Sequence, residues 1–149
     1  MKYPDQPWEA RLGMLGDRAE REFEARYRNG FERAGHKRPR FRMRDVHPYE
    51  RQRPDYIVTG AYIEVMGMGE EQVLKLKIDK LAALRFWRLL MPVRFWIWDS
   101  FKRRVIELPL EQVEELIPNA VIAFFPEGTP YYQIPAGGLF QEAPPNVTT

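Results

Sequence analysis

The chain has 149 residues, 44% hydrophobic and 13% aromatic, which is enough apolar material for one domain with its own core. It contains no cysteine, so disulfide frameworks, thiolate zinc sites and cysteine nucleophiles are excluded. The net charge is only +2, but its distribution is uneven.

Met1 to Ala10 carries no apolar run of signal-peptide length, and Ala120 to Phe125 is far too short to span a bilayer. The expectation is a cytoplasmic protein with no membrane partner. A first helix is predicted from Trp8 to Asn29, where Trp8, Leu12, Leu15, Ala19, Phe23 and Tyr27 form one stripe and Asn29-Gly30 gives the stop. A basic segment follows. Arg28, Arg33, Lys37, Arg38, Arg40, Arg42, Arg44, Arg51 and Arg53 face only Glu32, Asp45 and Glu50. Such an excess suits a polyanionic partner, and equally a solvated arginine-rich loop.

Phe41 to His47 alternates apolar and polar residues as a half-buried strand does. Tyr56–Val58 and Ala61–Met66 read as a hairpin around Thr59-Gly60, with Gly67-Met68-Gly69 breaking the sheet. A long helix is predicted from Glu70 to Leu90, closed by Pro92. Val93 to Trp98 is apolar almost throughout, as a buried central strand would be, and Arg104 to Leu108 is its expected neighbour. Leu110 to Ile117 reads as a short helix entered through Pro109, and Ala120 to Phe125 as one more strand. From Pro126 onward the density of Pro and Gly predicts an irregular tail. The order helix, three-strand meander, helix, strand, strand gives an α/β domain over residues 1–125, with a mixed sheet between helices and a tail over 126–149.

Three acids stand out. Asp55 follows Pro54 at the start of a strand, and Glu64 lies between Ile63 and Val65 in the next. A glutamate in an apolar strand is costly unless it has a partner or a metal. Carboxylates on adjacent strands can converge to hold a hard divalent cation. Alternation equally permits Glu64 to face outward beside Tyr62. Glu20, at the margin of the first helix's apolar stripe, is the third acid. His36 and His47 form no metal-ligand pattern, and Trp87, Trp96 and Trp98 are candidate core residues.

Arg53-Pro54-Asp55-Tyr56-Ile57-Val58, followed by Tyr62-Ile63-Glu64-Val65-Met66-Gly67, resembles the signature of the PD-(D/E)XK nucleases, which include Holliday-junction resolvases and many phage and restriction endonucleases. Gly16-Asp17-Arg18-Ala19-Glu20 and its helix resemble the resolvases' first motif. The likeness runs from Leu15 to Trp98. It implies a restriction-endonuclease-like fold and a magnesium- or manganese-dependent DNA endonuclease, structure-selective in the manner of a resolvase. By the same analogy Asp55, Glu64, the Val65 carbonyl and Glu20 would hold the metal. Arg38, Arg40, Arg42, Arg44, Arg51 and Arg53 would grip the nucleic-acid backbone. The resolvase likeness also implies a homodimer, whose interface the sequence does not locate.

The family's lysine is Met66 here. A methionine neither positions an attacking water nor offsets negative charge. Either the lysine has moved to the following helix, as in some members, or catalysis is lost and binding kept, or the methionine is an engineered change. If Leu74, Ile78, Leu81 and Leu84 mark that helix's buried stripe, Lys77 alone among its lysines falls inside the arc. Lys77 is therefore the first candidate and Lys75 the second, although Lys77 could equally snorkel. The alternatives are an inactive nucleic-acid-binding protein on the same fold, or a scaffold module whose acids are merely exposed.

Overall fold

The computed structural model describes residues 15–28, 30–35 and 46–140. Its elements are α1 (Leu15–Tyr27), β1 (Glu32–Arg33), α2 (Pro48–Arg51), β2 (Tyr56–Val58), β3 (Ala61–Met68), β4 (Val73–Lys77), α3 (Ile78–Trp87), β5 (Val93–Asp99), β6 (Arg104–Pro109), α4 (Leu110–Glu114), β7 (Val121–Phe124), β8 (Pro130–Pro135) and α5 (Ala136–Leu139). The fold is mixed α/β. Trp8 to Met14 of the predicted first helix, and residues 41–45 of the predicted first strand, lie outside the described residues, as does His36. Val46 and His47 belong to no strand, and His47 instead caps α2, its Nδ1 accepting from the Tyr49 N–H.

The larger sheet has the order β1-β2-β3-β5-β6. β2 and β3 pair antiparallel around Thr59-Gly60, where Gly60 has φ +78°, a conformation that favours glycine. β3 and β5 pair parallel, Glu64 opposite Phe95, and β6 returns antiparallel. Parallel neighbours need a crossover, and β4 with α3 provides it.

Both faces of this sheet are covered. On one, Ala19 and Phe23 of α1 pack on Tyr56, Ile63, Val65, Trp96 and Trp98. On the other, Tyr62 and Met68 meet Leu81, Leu84 and Trp87 of α3 and the leucines of β4. The three tryptophans are buried, as their sequence setting predicts.

Three expectations are corrected. The long helix from Glu70 does not form. Val73–Lys77 is a strand, and the helix starts at Ile78. Leu74 and Leu76 alternate into the core, while Lys75 and Lys77 take the other face. The glycine-rich step does not break β3, which runs on to Met68. The irregular tail is also wrong for its described part. Pro130–Pro135 is the central strand of a second sheet, β4-β8-β7, and α5 buries Ala136 and Leu139. The prolines sit at the ends of β8, where a missing N–H disturbs the ladder least.

Candidate active site

The β2–β3 register pairs Tyr56 with Ile63, and one more step places Asp55 opposite Glu64 on the same face. That face is the one turned toward α3. Glu64 is only 6% exposed, so the outward-facing reading of this residue fails. Asp55 accepts a 2.9 Å hydrogen bond from the Val65 N–H, taking over the ladder where β2 has ended. Its own carbonyl accepts from the N–H groups of Ala34 and Gly35, at 2.9 and 3.0 Å. Side chain and backbone of Asp55 are therefore both fixed.

Both acids line one cavity of about 360 Å³, together with Gln52, Met66, Lys75, Lys77, Lys80 and Phe125. Lys80 Nζ lies 3.0 Å from Glu64 Oε2 and donates to the Arg53 carbonyl at 3.0 Å. The contact with Glu64 satisfies charge but not hydrogen-bond direction, and Oε2 is buried without a hydrogen-bond donor. Burial and the neighbouring charge of Asp55 push the Glu64 carboxyl up to about 8, against the opposing pull of Lys80. Burial penalises the Lys80 ammonium, but Glu64 and Asp55 outweigh that and hold its pKa above the ordinary lysine value.

The lysine beside the acid is thus Lys80, which the helical-wheel reading passed over. Lys77 and Lys75, the two candidates from sequence, sit on β4. Lys75 is ion-paired with Glu71 at 2.6 Å, and Lys77 Nζ lies 5.9 Å from the Phe125 ring centre. The signal for Lys80 was present. On a helix starting at Ile78, Lys80 falls between Trp87 and Leu84 on the wheel, inside the buried arc.

Glu20 is not among the walls of the cavity. Its Oε1 pairs with Arg33 Nη2 at 2.9 Å, and Arg33 in turn donates to the Tyr56 hydroxyl. The charge of Glu20 still reaches Glu64, as a minor contribution that raises its pKa. Glu20 thus stands in an ion pair that ties α1 to β1.

Of the predicted backbone-gripping arginines, Arg38, Arg40, Arg42 and Arg44 lie outside the described residues. Arg53 pairs with Glu50 at 3.1 Å and stacks over Trp87, so its guanidinium is committed to packing. Arg51 is exposed on α2. Asp99 is fully buried. It accepts from the Phe101 and Lys102 N–H groups and from Gln72 and Arg104, closing the β5–β6 turn.

A divalent cation fits this donor set. Glu64 Oε2 is a buried carboxylate oxygen lacking a hydrogen-bond donor, and Asp55 stands opposite it. Among the described residues no three His, Asp or Glu side chains converge as a metal cage. Magnesium does not require one, because it binds through one or two carboxylates and keeps several waters.

The chain matches no protein-family profile, and neither a curated protein nor a solved structure is detectably similar to it. Among the described residues no helix is long and apolar enough to cross a membrane.

Proposed function

We propose that this chain is a metal-dependent nuclease of the PD-(D/E)XK type, with Lys80 serving in place of the lysine missing at Met66. One observation carries the reading: Asp55 just before β2, Glu64 in β3 and Lys80 in α3 converge on a single cavity. The order helix, hairpin, helix, parallel strand and antiparallel strand supports it as well.

Asp55 and Glu64, with the Val65 carbonyl, would hold magnesium or manganese. Bound there, such an ion supplies Lewis-acid stabilisation of the charge that develops during phosphodiester hydrolysis. Lys80 offsets the negative charge of the carboxylate pair and keeps an ammonium beside the reacting phosphate. Arg53 contributes its carbonyl, which fixes the Lys80 ammonium from the far side. Met66 lines the same cavity as an apolar wall.

DNA as substrate, a resolvase-like preference for branched structures, action as a homodimer and a cytoplasmic location belong to the same proposal and rest on the motif likeness. The test is incubation of supercoiled plasmid and of a four-way junction with the purified chain, in magnesium, in manganese and in EDTA. Cleavage that requires the metal and disappears in Glu64→Gln is the expected result. Intact DNA in every metal condition would remove the nuclease reading and leave binding without catalysis.

A further inference from the structure

A second pocket, of about 280 Å³, lies where α1 meets the β5–β6 turn. Arg18, Arg21 and Glu22 come to it from α1, Trp98 from β5, and Ser100 and Arg103 from the turn. It shares no wall residue with the carboxylate cavity. Its charge is unbalanced. Twelve of the described residues are arginines, and seven of these form an ion pair with a carboxylate. Of the five that do not, Arg18, Arg21 and Arg103 all line this pocket, and Arg28 and Arg51 lie elsewhere. The walls contain one acid, Glu22, and it lies 3.9 Å from Arg26. Three positive charges thus face one negative charge that is already shared.

This arrangement opposes stability. Arg18 and Arg21, three residues apart on α1, are surface neighbours and repel each other. Arg103 has φ +53°, a left-handed conformation that is costly for a residue with a side chain. The framework beneath is nevertheless rigid. Ala19 and Phe23 fix α1 on Trp96 and Trp98. Asp99 accepts from the Phe101 and Lys102 N–H groups, and Ser100 Oγ donates to the Met68 carbonyl at 3.1 Å.

We infer that Arg18, Arg21 and Arg103 form a binding site for a phosphate group, carried by a nucleic-acid backbone or by a free phosphate compound. A guanidinium is always charged, and its planar fork matches two phosphate oxygens at once. Presentation from two fixed elements keeps the cost of ordering the site low. The site stands without the nuclease reading, because its residues are not those of the carboxylate cavity.

The test has two arms, both on the full chain. In one, fluorescence anisotropy follows a labelled DNA duplex in EDTA across a salt series. In the other, calorimetry follows titration with inorganic phosphate and pyrophosphate. Arg18 and Arg21 are exposed, so glutamine at these positions leaves the core untouched. Arg18→Gln with Arg21→Gln should weaken binding by about tenfold or more. On the duplex, the slope of log affinity against log salt should also fall by about 1.8, or about 0.9 per lost phosphate contact. Arg103→Gly removes the third guanidinium and relieves the backbone, so it should bind more weakly while melting no lower than the parent. Arg28→Gln removes the same charge outside the pocket and should bind as the parent does. A loss confined to the duplex assigns the site to a nucleic-acid backbone, and a loss confined to calorimetry assigns it to a free phosphate compound. The inference is overturned if the parent binds none of these probes, if the pocket variants match the parent in both arms, or if Arg28→Gln weakens binding as much as Arg21→Gln.

Discussion

The two sheets meet at one cavity and contribute opposite charges to it. The larger sheet brings the acids, Asp55 beside β2 and Glu64 in β3, and buries Glu64 against α3. The smaller sheet brings Lys75 and Lys77 on the face of β4 opposite its buried leucines. Between them, Lys80 in the first turn of α3 belongs to neither sheet and bonds to the first. The difference teaches that a strand with two buried neighbours fixes an acid far more tightly than a strand edge fixes a lysine. Chemistry should therefore fail when the larger sheet is altered.

The largest effect expected is on cleavage. Asp55→Ala or Glu64→Ala should reduce metal-dependent cutting to background, read on plasmid gels. Asp55→Ala should also cost about 1–3 kcal/mol of stability in urea melts, because the buried Val65 N–H loses its acceptor. Lys80→Met comes next. It removes the cation beside a buried Glu64, so a loss of about 3–5 kcal/mol is expected in melts run above pH 8, where that carboxyl is ionised, and a smaller loss at lower pH. Adding Glu64→Gln to it should restore part of that loss. If Lys80→Met melts like the parent, the ion pair does not hold the two layers together.

Leu76→Ala probes the smaller sheet. Its side chain is fully buried, and truncation should cost about 2–5 kcal/mol. A smaller effect concerns pH. Glu64 ionises near 4.5 in the unfolded chain and at about 8 in the folded one. Unfolding therefore releases a proton between those values, so this contribution to stability is fully present below 4.5 and is lost as pH rises toward 8. Glu64→Gln should flatten the stability–pH curve in that window; an unchanged slope would mean that another group titrates there. The smallest effect is Met66→Lys. With Lys80 in place it should change cleavage by no more than a few-fold, whereas in the Lys80→Met background it should recover activity. A gain from nothing in the otherwise unaltered chain would show that Lys80 does not serve.

The hairpin and the central strand were readable from sequence because their patterns admit one period. Tyr56–Val58 and Ala61 onward flank a two-residue turn, and Val93 to Trp98 is too apolar for an exposed element. The segment from Val73 to Trp87 admits two. Leu74, Ile78, Leu81 and Leu84 satisfy a helix, while Val73 to Lys77 alternates as a strand, and local pattern cannot choose between them. The choice is made by β8, some sixty residues away, which supplies the ladder that β4 needs. β8 was itself hidden by its flanking prolines. The missed Lys80 follows directly, since counting Leu74 and Ile78 into the buried stripe and leaving out Trp87 shifts the arc away from Lys80. Asp55 and Glu64 were legible because their convergence depends only on the hairpin register, which is local. The ion pair of Glu20 was not legible for the opposite reason, because its partner Arg33 sits on a two-residue strand that leaves almost no periodic trace.

The backbone contact behind Asp55 has a practical consequence for anyone altering this protein. Ala34 and Gly35 clamp its carbonyl, and a methyl group added at Gly35 would come within 3.1 Å of both the Asp55 Cα and the Pro54 carbonyl oxygen. Neither of those atoms can swing aside as a side-chain tip could. The aim of the aspartate is thus set by a residue with no side chain of its own, twenty positions upstream. The gentlest substitution there, alanine, would misalign the carboxylate while leaving every charged group in the molecule intact.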